Sequence, residues 1–202
     1  MMNKTEIAKT VINKSGGIAK TSELLAAGLY KYDIGKLVSD GVLECIRHGF
    51  YQLAGNYDIT EAEYLSRLIP EGIVCVESAL FHYGYTDFTP REWSIAVPRA
   101  VSQRRLKTAA IPFKAYYIQP DVYELGKTKA DFDGTMLPIY DKERTICDCF
   151  KYRTKLDNEL FAKAVNAYAN DKEKNLANLS KYAKQLRVYK KVTDLMEVLL
   201  NG

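Results

Sequence analysis

The chain has 202 residues, 47% hydrophobic and 27% charged, and 29 Lys and Arg against 25 Asp and Glu leave a formal net charge of +4. This balance excludes a disordered or fibrous protein and fits one large domain, or a small one beside a medium one. The longest uncharged apolar stretches reach about half the ~20 residues of a membrane-spanning helix. Met1 to Glu6 lead into no apolar signal segment, and four cysteines without a C-x-x-C pair fit reduced thiols, so a soluble, cytoplasmic protein is expected.

The charge is uneven. Residues 1–55 carry 7 basic and 5 acidic side chains, 56–150 carry 11 and 14, and 151–202 carry 11 and 6. A basic start and a basic end permit nucleic-acid binding without requiring it, and the excess in 151–202 reads as a solvated helix face.

Residues 3–15 read as a first helix, capped by Asn3 or Thr5, with Ile7, Ala8, Val11 and Ile12 on one face and Gly16-Gly17 as its stop. A short extended piece at Ile18-Ala19 leads to a second helix. Thr21 is expected as its N-cap, Glu23 in its first turn and Gly28 as its C′ residue. A third helix runs from Tyr30–Tyr32 to Asp40, with Ile34, Leu37 and Val38 facing inward and Gly41 closing it. The period then changes: Val42–Ile46 and Phe50–Leu53 are β-type and flank the tight turn Arg47-His48-Gly49.

Three short helices followed by a hairpin, within about 50 residues, define a winged helix-turn-helix. In this module the third helix enters the major groove, helix amide ends meet phosphates, and the hairpin tip reaches the adjacent backbone. The expected DNA contacts follow. Lys20, Thr21, Ser22 and Lys36 hold the backbone, Tyr30, Lys31 and Tyr32 approach base edges, Arg47 and His48 form the wing contact, and Tyr51 lies on the same face. Asp33 either caps the third helix or accepts from a cytosine amino group. One such module buries too little surface for nanomolar affinity, so two copies on an inverted repeat are expected.

Beyond residue 57 the pattern is mixed. Thr60–Leu68 reads as a helix ended by Pro70, Gly72–Val76 is an apolar run, and Ser78–Tyr83 is a short helix. Trp93–Pro98, 111–118 and 135–140 are strands. Lys142–Arg153, Asn158–Ala169 and 175–200 are helical, the last in one or two pieces. The expected fold class is α+β: a winged helix-turn-helix domain over 1–56, then a larger α+β domain over 57–202 with a small mixed sheet and C-terminal helices.

This arrangement resembles the AbiEi antitoxins of abortive-infection, type IV toxin–antitoxin systems. The resemblance rests on GGIAKTSELLAAGLYKYDIGKLVSDGVLECIRHGFYQLAG in the winged module, and on VESALFHYGYTDFTP, WSIAVPR and LPIYDKERTICDCF in the second domain. It implies a repressor that binds double-stranded DNA at inverted repeats upstream of its own operon. It also implies a second domain that counters a nucleotidyltransferase-like toxin without a stable complex, the protein being a monomer in solution or a dimer on DNA. The chain departs from the family where wings carry two adjacent basic residues, since here the second is His48. The alternative reading is a protein-interaction module that neutralises such a toxin by direct binding, without specific DNA recognition.

Catalytic readings find little support. The only histidines are His48 and His82, and Cys147 and Cys149 lie two apart on a helix, pointing apart, which suits buried apolar thiols. Asp131-Phe132-Asp133-Gly134 mimics a carboxylate pair for Mg²⁺, yet no Gly-Ser dipeptide precedes it and the spacing fails the calcium-loop pattern; it reads as an exposed turn. Tyr140 to Thr145 reads as a helix start, with Asp141 as cap and Arg144 paired to a carboxylate. Most of the 15 tyrosines are expected to pack with their hydroxyls at the surface, whereas Tyr30, Tyr32 and Tyr51 lie on the expected DNA face. No enzyme, cofactor, metal or membrane association is expected.

Overall fold

The structure is a computed structural model that describes residues 3–106 and 110–201. In chain order the first elements are α1 (Lys4–Lys14), β1 (Ala19–Lys20), α2 (Thr21–Ala26), α3 (Lys31–Ser39), β2 (Leu43–Arg47), β3 (Phe50–Leu53) and α4 (Glu61–Leu68). There follow β4 (Ile73–Val74), α5 (Val76–His82), β5 (Trp93–Pro98), α6 (Gln103–Leu106), β6 (Phe113–Ile118), α7 (Pro120–Tyr123), β7 (Lys127–Phe132) and β8 (Thr135–Tyr140). The chain ends in α8 (Lys142–Lys151), α9 (Asn158–Asn170), α10 (Leu176–Gln185) and α11 (Tyr189–Asn201).

These elements form two units. One comprises Met1–Pro70 with Ser102–Ile111, the other Glu71–Val101 with Pro112–Gly202. The sequence places its boundary at 56, whereas the structure groups α4 with the winged module, and the hydrogen bonds show why. Tyr64 Oη donates to Gln52 Oε1 at 2.5 Å on β3, Arg67 donates to the carbonyl of Ser15 behind α1, and Arg47 donates to the carbonyl of Leu68. Thr60 and Glu63 form a reciprocal capping box at the start of α4.

In the first unit each helix is held by local chemistry. Asn3 caps α1 through its side chain, and Ala8 and Ile12 are fully buried. Gly28, at φ +93°, ends α2 so that the Leu29 amide returns to the Leu24 carbonyl at 3.2 Å, the bond of a left-handed C-terminal cap. Leu24, Leu29, Ile34, Leu37 and Leu43 join Ala8, Ile12 and Ala19 in one core. The three strands pair antiparallel in the order β1-β3-β2, with Ala19 opposite Tyr51, Leu43 opposite Leu53 and a register shift between Cys45 and Arg47.

The second unit is built on a five-stranded mixed sheet in the order β6-β5-β4-β8-β7. The β5–β6 and β4–β8 pairs are parallel; β4–β5 and β7–β8 are antiparallel. Strand β7 is missed by the sequence reading, which sees only the Asp131–Gly134 turn. It is an edge strand whose Lys127, Thr128 and Lys129 are exposed, so no apolar alternation marks it; pairing to β8 defines it.

Helix α8 is the centre of this unit: Glu143 to Phe150 are all buried. Several tyrosine hydroxyls turn inward around it, contrary to the expectation of surface hydroxyls. Tyr140 donates to the Tyr123 carbonyl at 2.9 Å, Tyr83 to the Tyr140 carbonyl at 2.9 Å, and Tyr168 to Glu143 at 3.2 Å. Each buried ring thus carries its polar end to an internal acceptor.

Asp171, at the C-cap of α9, accepts from Tyr85 Oη and from Lys142 Nζ at 2.8 Å. The Lys142 ammonium, the Tyr85 hydroxyl and the Glu173 amide together lower its carboxyl to about 2. A folded value below the unfolded value of ~3.9 means that this contribution to stability is complete above about pH 4 and is lost as the pH falls toward 2. Asp171→Asn is expected to be less stable than wild type at pH 6, with the gap closing by about pH 2, as read by urea unfolding across that range. A gap constant with pH would remove Asp171 from the acid transition.

Candidate nucleic-acid interface

The surface begins where β1 passes into α2. Pairing of Lys20 with Phe50 commits the chain to extended backbone through Lys20, so the helix opens at Thr21. Lys20 therefore occupies the N-cap position expected of Thr21. Its amide donates to Glu23 Oε2 at 2.6 Å, while the Thr21 amide donates to the carbonyl of Gly49 at 2.9 Å. The start of α2 is thereby tied to the wing turn. This places exposed Lys20 and Ser22 and half-buried Thr21 on the elements that bracket His48.

Helix α3 is amphipathic. Ile34 and Leu37 are buried, whereas Tyr30, Lys31, Tyr32 and Lys36 are exposed, Tyr30 at 73% and Tyr32 at 79%. Two large aromatic rings left in solvent at a helix start are unusual for packing and suited to a partner. Asp33 is buried beneath them and decides its own role. It accepts from Lys4 Nζ at 2.5 Å and from the Tyr30 amide at 3.0 Å. The Lys4 bond first, and the Tyr30 amide second, hold its carboxyl below the usual range. Of the two roles open to it in the sequence, the helix cap is the one realised; the cytosine contact is not, because the carboxylate is inside.

The wing differs from its sequence reading. Arg47 is half-buried: its guanidinium donates to the Leu68 carbonyl at 2.5 Å and lies 4.4 Å from the centre of the Phe50 ring, with Lys20 Nζ at 5.9 Å from the same ring. The side chain braces the hairpin against the end of α4, and His48 is the one exposed at the tip. Tyr51 is half-buried against the core of this unit. Arg47→Met is expected to cost about 1.5–3 kcal/mol in urea unfolding, the range for a hydrogen bond to a charged group. The same variant should keep the wild-type salt dependence of DNA binding; a shallower slope would return Arg47 to the phosphate contacts.

The structure places Lys20 at the end of β1, Thr21 and Ser22 on α2, Tyr30 at the cap of α3, Lys31, Tyr32 and Lys36 on α3 and His48 at the wing tip, and turns Arg47 and much of Tyr51 toward the protein. Sequence reasoning missed the α6 segment, which lies about fifty residues beyond the wing and yet groups with this unit. The sequence reading assigns no element between Trp93–Pro98 and 111–118.

Elsewhere the polar side chains serve the fold. Asp141 caps α8 by accepting from the Arg144 amide at 2.8 Å, and Arg144 pairs with Asp148 at 3.1 Å. Cys75, Cys147 and Cys149 are buried, and burial pushes their thiols up, away from thiolate chemistry. Among the described residues no group of three or more His, Cys, Asp or Glu side chains is placed to hold a metal ion, and no helix is long and apolar enough to cross a membrane.

A helix-turn-helix with a β-hairpin wing and an outward-facing third helix is the class of a transcriptional regulator's DNA-reading unit. Residues 6–54, from α1 through the wing, match the model of the family described as transcriptional regulator, AbiEi antitoxin, the family that the sequence resembles. No curated protein sequence matches the chain. Among solved structures the whole chain superposes on the crystal structure of the RV2827C protein from Mycobacterium tuberculosis with a TM-score of 0.67, at 14% identity and over 82% of that chain. At that identity the likeness is one of fold, and it supports the α+β assignment across both units.

Proposed function

We propose that this protein is a DNA-binding transcriptional repressor and the antitoxin of a type IV, abortive-infection toxin–antitoxin system, without enzymatic activity and acting in the cytoplasm. It represses its own operon by binding inverted repeats in the promoter, two copies per operator, because one winged module offers too little surface for tight specific binding. The carrying observation is the outer face of α3: Tyr30, Lys31, Tyr32 and Lys36 project together while Ile34 and Leu37 anchor the helix, within the segment that matches an antitoxin regulator family. Lysines supply sequence-independent attraction and tyrosines supply rings and hydroxyls for base edges. The second unit counters a nucleotidyltransferase-like toxin, with no stable complex between the two proteins.

The test is a gel-shift titration on the DNA immediately upstream of the gene, at two salt concentrations, beside a shuffled duplex. Stepwise, salt-sensitive shifts with preference for the upstream DNA are expected. One observation favours the protein-interaction alternative: residues 1–70 carry eight basic and eight acidic side chains, hence no net charge. Equal binding to both duplexes, with co-purification of a toxin, would decide for that alternative.

A further inference from the structure

Strand β7, Lys127–Phe132, is the last strand of the five-stranded sheet, and its outer edge pairs with no other strand among the described residues. It runs against β8 without a shift of register, from Lys127 opposite Tyr140 to Phe132 opposite Thr135. The two-residue turn that joins them, Asp133 at φ +51° and Gly134 at φ +85°, makes Phe132 and Thr135 a hydrogen-bonded pair. Such pairs alternate along an antiparallel ladder. Lys129 and Asp131 therefore occupy the intervening positions, opposite Pro138 and Met136, with their N–H and C=O groups aimed away from β8. Pro138, which has no N–H, sits where β7 asks for none. The Asp141 amide donates to the Gly126 carbonyl at 2.7 Å, which keeps the same alternation one step beyond the strand.

Proteins blunt an exposed edge with a proline, a bulge or repelling lysines. Strand β7 has neither proline nor bulge, and its charges are of both signs. Lys127, Lys129, Asp131 and then Asp133 follow one another at alternate positions, all exposed. Read backwards, that order is its own complement. Two copies of β7 laid antiparallel about a two-fold axis at Ala130 set Lys129 of each copy opposite Asp131 of the other. The outward N–H and C=O groups of these residues then meet in two hydrogen-bonded pairs. Lys127 comes opposite Asp133 at both ends, although within one chain Lys127 already lies 3.0 Å from Glu124. Sliding one copy by two residues either way puts Lys129 on Lys129 or Asp131 on Asp131. Like charges directly opposite repel, so charge selects a single register.

We infer that β7 is a self-recognition edge. Two copies of this chain pair through it, antiparallel and with Lys129 against Asp131, and so join their sheets into one. Such a contact is isologous: the same strand serves on both sides. It is also short, so the association is weak and depends on concentration. The pairing supplies the second copy that an inverted repeat calls for, yet it involves no DNA and stands whether or not the repressor reading holds.

The experiment is sedimentation velocity on the full chain without DNA, over a concentration series up to the limit of solubility. Wild type is expected to shift from monomer toward dimer as concentration rises, and less so in high salt. Lys129→Asp alone, or Asp131→Lys alone, turns two attractive cross-strand pairs into two repulsive ones and should raise the dimer dissociation constant at least about tenfold. An equimolar mixture of these two variants restores opposite charges at both pairs, so it should dimerise although neither variant does so alone. The double variant, Lys129→Asp with Asp131→Lys, should likewise self-associate as wild type does. Wild type that stays monomeric throughout overturns the proposal. So does a dimer that either single reversal leaves intact, which would place the contact elsewhere, and so does a mixture that remains monomeric. Gel shifts on the upstream duplex test the repressor reading separately, and their failure would leave the sedimentation result standing.

Discussion

Replacing Lys20, Lys31 and Lys36 together with glutamine is expected to weaken duplex DNA binding by two to three orders of magnitude near 0.1 M salt. The slope of log affinity against log salt should become shallower by about three units. The estimate follows from position. Lys20 stands at the mouth of α2, Lys31 in the first turn of α3 and Lys36 in its last turn, all exposed. Each ammonium on a phosphate releases about one counterion, and each release is worth roughly tenfold at that salt. The three side chains lie outside the core of the winged unit, so its melting should stay within about 1 kcal/mol of wild type. An unchanged slope would mean that this face does not meet DNA, whatever the overall affinity.

The largest stability effect belongs to the second unit. Asp148→Ala is expected to cost about 3–5 kcal/mol in urea unfolding followed through Trp93, the single tryptophan, which lies on β5 of that unit. Arg144 and Asp148 are one turn apart on α8, and their side chains are 0% and 1% exposed. Beside its bond to Asp148, the guanidinium donates to the carbonyls of Val122 at 2.6 Å and Leu125 at 2.8 Å, and it lies 4.1 Å from the centre of the Tyr140 ring. The backbone closes tightly behind it: Gly126 sits at φ +70°, and a Cβ there would stand 2.6 Å from Arg144 Cβ.

Burial raises the Asp148 carboxyl and Arg144 opposes that rise. Removing the carboxylate strands a cation in the core, and an uncompensated buried charge is the costly case. Replacing both partners, Arg144→Met with Asp148→Leu, removes the charges but leaves two carbonyls without their donor. It should therefore recover part of the loss and not all of it. A loss below about 1 kcal/mol for Asp148→Ala would show that water reaches the pair.

The winged module is legible in the sequence because each of its elements carries its own local signal. Asn3 marks one helix start, Gly28 and Gly41 mark two helix ends, and the helical spacing of Ile34, Leu37 and Val38 gives way to the β-type run Val42–Ile46. These signals act over a few residues, so no distant partner is needed to read them. The exposed face of α3 follows from the same logic, since fixing Ile34 and Leu37 inward sends Tyr32 and Lys36 outward.

What fails to be legible has one physical cause, a partner far along the chain. Thr21 reads as a cap until the pairing of Lys20 with Phe50 holds the chain extended through Lys20. Arg47 reads as a wing-tip cation until the Leu68 carbonyl, 21 residues on, claims it. Arg144 reads only as paired to a nearby carboxylate, and the packing of α5, α9 and α10 around α8 makes Asp148 that partner and buries the pair. Strand β7 exists because β8 pairs with it.

The α+β class, the order of elements in the winged module and the outward residues of its third helix are set by local periodicity and short-range capping, so they are legible in the chain alone. Which cations face solvent and where the first unit ends follow from the tertiary structure, which also groups Ser102–Ile111 with that unit. Those outcomes depend on burial and on hydrogen bonds between residues 12 to 52 positions apart, and such pairings leave no period in the chain.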